Sequence, residues 1–361
     1  MQKSGILGIL HINCINKYAY LLNIYSKKGL TARIICSIMH TSTKEAGKPP
    51  QIKEIIKMKK ITKLLALVIS VLMVLTCMVG CGETESLDAA YNKYIEQYKQ
   101  DANVTETLKV ALSPDFAPME FYDIAKSGDD AIVGFDVILA NYLAKELGKK
   151  VVLQPMSFDA CQAAVQAGTV DIAISGFSWT QDRAENYEIT DYYIAGENET
   201  EQILITTKAN EGKFTTVDSL AGKKIGYQGA SLQELLVNEQ LGEVANVENV
   251  YSDIGTAVEA LKAGQIDALA VAKGNGDAII ANAPEQIAIA GFNFDVDPKY
   301  ENNVCLIQKG NTALLDAVNA ALAKAMENDY YTGWYEACQI YSGIETADEL
   351  GYDENGNKIT E

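Results

Sequence analysis

Arg183 is the side chain in this sequence with the most specific chemistry. It is the only arginine in residues 81–361, where 17 lysines supply the remaining positive charge. Its planar guanidinium can donate two parallel hydrogen bonds to a carboxylate, which a lysine ammonium cannot do. Arg183 is therefore either a chance survivor in a lysine-rich composition or a residue used to bind an anion.

The same segment contains no histidine, because His11 and His40 both lie in the first 80 residues. Residues 81–361 thus cannot form a Ser-His-Asp triad, a Cys-His pair or a histidine metal site. Their 46 acidic and 18 basic side chains give a net charge of −28, which repels phosphate backbones. We expect no catalytic residue, no metal, no cofactor and no nucleic-acid partner.

Residues 58–80 have the plan of a bacterial export signal. A basic segment precedes sixteen largely apolar residues, 64–79, which fall short of the roughly 20 that a spanning helix needs. Met78-Val79-Gly80-Cys81 resembles a lipobox, in which the cysteine is acylated, although methionine replaces the preferred leucine. The predicted lipidation site is Cys81. Cys77 and a plain membrane anchor are the alternatives.

The segments on either side of this signal carry less information. Residues 1–57 show no clear period and are expected to come from an over-long gene assignment. Residues 81–104 are polar and acidic and are predicted to be a lipidated tether, with one short helix over 91–98. Three cysteines remain downstream, widely spaced in apolar surroundings: Cys161, Cys305 and Cys338. They predict buried thiols rather than disulfides.

Strand and helix patterns alternate after the tether. Apolar strands are predicted at 108–112, 151–153, 170–174, 203–206 and 224–227, and helices at 137–147, 161–166 and 313–326. Continuous apolar strands separated by helices indicate a mainly parallel sheet covered on both faces. The fold class is α/β.

An internal repeat indicates two such units. Residues 165–174 match residues 261–270, and each copy ends a helix, continues through a glycine and enters a buried strand at an aspartate, Asp171 or Asp267. Two similar α/β lobes without nucleophile-base machinery suggest a clamp for a small molecule.

From about residue 108 to 341 the chain resembles the bacterial extracellular solute-binding proteins of family 3, the polar amino-acid receptors of ABC importers. The matching runs, in the family's order, are Leu108-Lys-Val-Ala, Phe116-Ala-Pro-Met-Glu-Phe121, Val133-Gly-Phe-Asp136, Gly168-Thr-Val-Asp171, Ser175-Gly-Phe-Ser-Trp-Thr-Gln-Asp-Arg183, Asp191-Tyr-Tyr193, Leu220-Ala-Gly-Lys-Lys-Ile-Gly226 and Gly264-Gln-Ile-Asp267.

The resemblance implies a two-lobe type II periplasmic-binding-protein fold, each lobe a mainly parallel sheet flanked by helices, with a hinge between the lobes near 195–201 and 304–308. It also implies a function: lobe closure on a small carboxylate-bearing solute, foremost an amino acid, at the extracellular face of the cell membrane, followed by docking on an ABC permease. We expect a lipid-anchored monomer and not an enzyme. A cyclohexadienyl-dehydratase-like enzyme that uses Lys273, or an extracellular sensor module, are the alternatives on the same fold.

The resemblance also places residues in the binding site. Arg183 matches the arginine that holds the ligand's α-carboxylate, and Ser178 adds a hydroxyl and a backbone N–H to the same anion. Ser175 and Gly176 offer main-chain groups at the carboxyl end of a strand, where open α/β sheets bind ligands. Gly176 has no Cβ and so permits close approach.

Further site residues come from the walls and from the second lobe. Phe116 and Phe158 match two aromatic walls, although each would be a core residue on composition alone. Gly229 and Ser231 open a helix whose N–H groups would face the cleft, and Ser231 matches a carboxylate contact. Tyr227 is predicted as a neighbour. Asp136 is predicted to cap the following helix rather than to touch the ligand.

One position departs from the family. The aspartate that accepts the ligand's ammonium is replaced by Ala272, followed by Lys273, and a cation cannot accept that hydrogen bond. Either another acid serves, with Asp277 the nearest, or the ligand lacks a free α-amine, or the match slips locally at 274–276. The predicted domains are lobe 1 at 105–198 plus 310–345, lobe 2 at 199–309 and an acidic tail at 346–361.

Overall fold

The computed structural model describes residues 83–193, 200–353 and 355–359, with side chains from residue 89 onward. The predicted signal, Cys81 and residues 1–57 lie outside the described residues. The described strands are β1 Thr107–Leu112, β2 Asp115–Phe116, β3 Glu120–Tyr122, β4 Ile132–Val133, β5 Lys150–Pro155, β6 Ile172–Ser178, β7 Tyr187–Ile189, β8 Gln202–Thr207, β9 Lys224–Gln228, β10 Asn246–Tyr251, β11 Ala268–Ala272, β12 Ile287–Asn293 and β13 Asn303–Gln308.

The described α-helices cover the two faces of the sheets. They are α1 Glu83–Gln97, α2 Phe135–Glu146, α3 Phe158–Gln166, α4 Gln181–Asn186, α5 Leu232–Leu241, α6 Ile254–Lys262, α7 Lys273–Asn282, α8 Thr312–Glu327 and α9 Tyr330–Ser342. The helices and strands predicted from the sequence are all present. The predicted strand at 170–174 begins later, at Ile172.

Lobe 1 is built on a five-stranded sheet in the order β5-β1-β6-β13-β7, in which β1 pairs in parallel with β5 and β6 and only β13 runs antiparallel to its neighbours. Alternate residues of its strands face opposite layers, as a period of two requires. Leu108 and Val110 pack toward α2, α8 and α9, whereas Ala111 and Phe177 pack toward α3. Because both faces of the sheet are covered by helices, its strands are continuous apolar runs in the sequence.

Lobe 2 has the same plan, with strand order β10-β9-β11-β8-β12 and only β8 antiparallel. The repeated aspartates do the same work in both lobes. Asp171 accepts a hydrogen bond from the backbone N–H of Lys109 at 2.7 Å, and Asp267 accepts one from Lys224 at 2.9 Å. Each carboxylate thus ties the start of one strand to the start of its parallel neighbour, which confirms the internal repeat.

The antiparallel strands are the ones that arrive from the other lobe. β8 enters lobe 2 after residue 193, and β13 enters lobe 1 after residue 302, beside a bridge between Tyr193 and Asn303. Residues 304–308 lie inside β13, a strand of the lobe 1 sheet, so the described connection on this side is 294–302. Sheet pairing therefore places β13 in lobe 1, whereas the boundary expected from the sequence assigned it to lobe 2. Part of the other expected hinge segment, 194–199, lies outside the described residues.

The helix expected within the tether is longer and is packed against lobe 1. Tyr91 and Tyr98 are buried, and their rings lie 4.9 Å from Tyr341 and 5.4 Å from Trp334 of α9. The aromatic residues of α1 recur on one helical face, which gives that face a reason to dock. The face of this segment that carries Tyr91 and Tyr98 therefore belongs to the core of lobe 1. No helix among the described residues is long and apolar enough to cross a membrane.

Candidate functional site

A cavity lies between the lobes, at the carboxyl ends of β6, β9 and β11. Lobe 1 contributes Phe116, Phe158, Ser175, Gly176, Ser178, Arg183 and Asn303 to its lining. Lobe 2 contributes Gln202, Gln228, Ser231, Leu232, Gln233, Ile254, Ala270, Val271 and Ala272. The cavity brings together seven of the ten predicted ligand-binding residues.

Arg183 is held at the cavity by the start of α4. The hydroxyl of Thr180 caps this helix by accepting the backbone N–H of Arg183 at 3.2 Å. In the guanidinium, Nη1 donates to the Ser178 carbonyl at 2.6 Å, Nη2 to the Ala230 carbonyl at 2.8 Å and Nε to Gln162 at 3.3 Å. A guanidinium has five N–H donors, so donors on both terminal nitrogens remain for a ligand.

The Arg183 side chain is a buried cation. The side chain is only 3% exposed, and burial lowers its pKa to about 10, which leaves it cationic at neutral pH. Its guanidinium lies 5.6 Å from the ring centre of Phe158 and 5.1 Å from that of Phe177. None of the carboxylates in the described residues forms an ion pair with it. A buried cation in this state favours an anionic ligand.

The aromatic wall depends on a glycine. Gly176 has a φ of +54°, and a Cβ at this position would lie 2.7 Å from Cε1 of Phe116. Any other residue would therefore be strained and would push the ring out of place. Phe158, at the start of α3, stacks on Phe177 at 4.6 Å between ring centres. These contacts place both predicted phenylalanines on the cavity.

Two buried carboxyl groups support the strand end from behind. The Ser175 hydroxyl donates to Glu120, and Asp136 accepts the backbone N–H of Gly176 at 2.8 Å and the Tyr193 hydroxyl at 3.2 Å. Burial raises the pKa of Asp136 to about 7, and burial together with the charge of Asp136 raises that of Glu120. Near neutral pH the two groups therefore bind protons more tightly than exposed carboxyls do.

The predicted capping role of Asp136 is wrong, because the residue at the N-cap of α2 is Gly134 and no side chain caps this helix. The extended turn before this helix points the carboxylate toward Gly176 instead. Glu120 was missed altogether. The signal that could have revealed it is an acidic residue within the apolar run Met119-Glu-Phe121, which is typical of a buried carboxyl group with a hydrogen-bond partner.

In the turn after β9, two of the N–H groups that were expected to face the cleft already have acceptors within the protein. The N–H of Gly229 donates to the Tyr251 carbonyl at 2.9 Å, and that of Ala230 donates to the Glu234 side chain at 2.6 Å. The hydroxyl of Ser231 donates to Gln228 at 2.7 Å and accepts the N–H of Glu234 at 3.1 Å. Ser231 lines the cavity as predicted, whereas Gly229 does not.

Two further predicted residues lie away from the cavity lining. Tyr227 is in the core of lobe 2, where its hydroxyl donates to the Val247 carbonyl at 2.7 Å. Asp277 forms an ion pair with Lys273 at 2.6 Å, one turn apart on α7. Neither partner of that pair lines the cavity, whereas Ala272 does. The structure therefore gives no support to Asp277 as the ammonium acceptor or to Lys273 as an acid-base residue.

Direct contacts join the lobes beside the cavity. Asp115 of lobe 1 accepts hydrogen bonds from the Gln228 amide at 2.9 Å and from the backbone N–H of Ile254 at 2.8 Å. Asn275 of lobe 2 donates to the Ala117 carbonyl at 3.0 Å. The described arrangement is one in which the two lobes touch across the cleft. Asp115 and Asn275 carried no signal in the sequence pattern.

Known proteins resemble this chain in sequence and in fold. The L-cystine-binding protein TcyJ of Escherichia coli strain K12 is 32% identical over 226 residues, 62% of this chain and 78% of that protein. A probable histidine-binding protein of Campylobacter jejuni is 29% identical over 259 residues, 69% of this chain and 93% of that protein. Both relatives carry the names of binding proteins rather than of enzymes.

The same likeness holds for solved structures. The amino acid ABC transporter substrate-binding protein AbpA of Streptococcus pneumoniae, bound to L-arginine, has a TM-score of 0.59 and 33% sequence identity, with 66% of this chain and 97% of that one covered. The expected type II periplasmic-binding-protein fold is confirmed. Residues 108–337 match the model of the bacterial extracellular solute-binding proteins, family 3. The chain belongs to that family, and it is a binding protein rather than an enzyme.

Proposed function

We propose that this protein captures a small carboxylate-bearing solute, an amino acid or a close relative, and delivers it to an ABC permease. The observation that carries the proposal is Arg183. It is a buried cation on an interlobe cavity, with donors to spare and no ion-pair partner among the described residues. A carboxylate is the ligand group that such a guanidinium binds best.

The relatives support the same class of ligand. Their names assign L-cystine and histidine to them, and one solved structure is described as holding L-arginine. These compounds differ in their side chains but share a carboxylate. The part of the cavity around Arg183 is thus the part expected to serve a shared purpose, while the apolar and amide walls set selectivity.

The proposed ligand-binding residues follow from the lining of the cavity. They are Phe116, Phe158, Ser175, Gly176, Ser178, Arg183 and Ser231. Arg183 and Ser178 would hold the carboxylate, and the two phenylalanines would cover the rest of the molecule. Release and capture require the lobes to separate, which would break the hydrogen bonds of Asp115 to lobe 2.

A thermal-shift screen of the purified full-length chain tests this function. A solute that binds only the folded state raises the unfolding midpoint, by an amount that grows with its concentration over its dissociation constant. The screen should contain the L-amino acids, their 2-hydroxy analogues, sugars and amines. We expect stabilisation by carboxylates alone. If only sugars or amines stabilise the protein, capture of a carboxylate is not its function.

The location is proposed from the export signal. We propose that Cys81 is acylated and that the mature protein is a monomer anchored to the outer face of the cell membrane. Replacing Cys81 by serine should release the protein from the membrane fraction and abolish labelling by a radioactive fatty acid. Cys77→Ser is the matched control and should stay membrane-bound and labelled. The opposite result for the two variants would move the lipidation site to Cys77.

A further inference from the structure

We infer that the preferred solute is a small carboxylate without an ammonium group. The inference rests on the proposed function, because it concerns the ligand of the same cavity. Of the sixteen described residues that line the cavity, Arg183 is the only one with a charged side chain. The others are apolar, hydroxyl or amide residues, so no lining side chain supplies a negative charge.

Three carboxylates on elements next to the cavity already have donors. Asp115 accepts from Gln228 and Ile254 and also from the Ser113 hydroxyl at 2.8 Å. Glu234 accepts the N–H of Ala230. Asp277 is paired with Lys273. A ligand ammonium would have to displace one of these donors in order to bind any of these three carboxylates.

Two further acids, behind the end of β6, are closed off from the cavity. Glu120 is 0% exposed and Asp136 is 1% exposed, and Ser175 and Gly176 stand between them and the cavity. The donors on that side, the Ser175 hydroxyl and the Gly176 N–H, are already directed at these acids. Glu120 and Asp136 stabilise the end of β6. They cannot contact a ligand unless these hydrogen bonds to Ser175 and Gly176 are broken.

The charge balance then favours a monoanion. A carboxylate neutralises Arg183, whereas an amino acid would add a second cation that finds only neutral acceptors in the lining. A polar group buried without its full partner weakens binding by about tenfold. A hydroxyl in place of the ammonium avoids this cost, because hydroxyl and amide side chains can pair with it. The structure therefore favours 2-hydroxy or deaminated carboxylates over amino acids.

Ala272 is the position from which this preference can be reversed. It ends β11, is 2% exposed, lines the cavity and stands at the N-terminus of α7 without a side-chain cap. An aspartate there would place a carboxylate on the cavity wall. Asparagine has the same shape and caps a helix equally well, so it separates the effect of the charge from that of the side chain.

Calorimetric titration of the full-length chain with matched pairs tests the inference. The pairs are leucine with 2-hydroxy-4-methylpentanoate, phenylalanine with 3-phenyllactate, and glutamine with 2-hydroxyglutaramate. In the pair that binds most tightly, the hydroxy acid should bind about tenfold more tightly than the amino acid. Ala272→Asp should cancel or reverse this ratio, and Ala272→Asn should leave the ratio unchanged.

The outcomes separate the two levels of the proposal. If an amino acid binds as tightly as its hydroxy analogue or more tightly, the inference is wrong while the capture of carboxylates stands. If no carboxylate binds the unaltered protein at all, the proposed function fails and the inference fails with it. Should Ala272→Asp not fold, the comparison of pairs on the unaltered protein still decides.

Discussion

Replacing Arg183 by lysine is expected to weaken binding of the best carboxylate ligand by about 10- to 100-fold, measured by calorimetric titration. The substitution keeps the positive charge but loses the planar fork that gives two parallel hydrogen bonds. The amide of the same ligand should bind the unaltered protein poorly, and the substitution should weaken its binding little further. Normal binding of the carboxylate by the lysine variant would contradict the proposed role of Arg183.

The structure also predicts that the Arg183→Lys variant is less stable than the unaltered protein, which the sequence did not indicate. The guanidinium also donates to the carbonyls of Ser178 and Ala230, so the lysine variant should lose about 1–2 kcal/mol of unfolding free energy. Thr206→Val is a suitable control, because the Thr206 hydroxyl donates to the Asp267 carbonyl at 2.7 Å and Thr206 does not line the cavity. It should lose stability while keeping ligand affinity within about threefold.

The parts of this fold that the sequence predicts best are those with local periodicity. The apolar runs predict β1, β5, β8 and β9, and the spacing of apolar residues predicts α2 and α8. The sequence pattern also indicates that the matched aspartates, Asp171 and Asp267, have the same structural role. Each follows a helix and a glycine, and each ties two parallel strands together.

The site was harder to predict where its geometry depends on contacts between residues that are far apart in the sequence. Glu120 and Asp136 reach the end of β6 from separate elements, and nothing in their spacing reveals that they meet there. In contrast, two predicted ligand-binding residues that do not line the cavity, Tyr227 and Asp277, have neighbours in the sequence that indicate another role. Tyr227 alternates with Ile225 on the face of β9 that packs into the core of lobe 2. Asp277 lies four residues after Lys273, the spacing of an ion pair on one helix.

The buried acids predict an unusual dependence of stability on pH. Asp136 has a pKa of about 7 in the folded protein, against an ordinary value of 3.8, because burial disfavours its charged form. The folded state therefore keeps a proton that the unfolded state releases. Its unfolding free energy should fall as the pH rises from about 4 to about 7, by up to about 1.4 kcal/mol per pH unit from this group. Glu120 acts in the same direction.

Urea unfolding at several pH values, with and without the Asp136→Asn substitution, isolates this effect. The unaltered protein should gain stability relative to the variant as the pH is lowered from 7 to 5, because only the aspartate takes up a proton there. Ser175→Ala is the control that removes a hydrogen bond from Glu120 but leaves both carboxyl groups in place. It should lower stability at every pH and keep the dependence. If the stability of Asp136→Asn parallels that of the unaltered protein across this range, Asp136 is ionised in the folded state, and the strand end at Gly176 rests on an ordinary carboxylate.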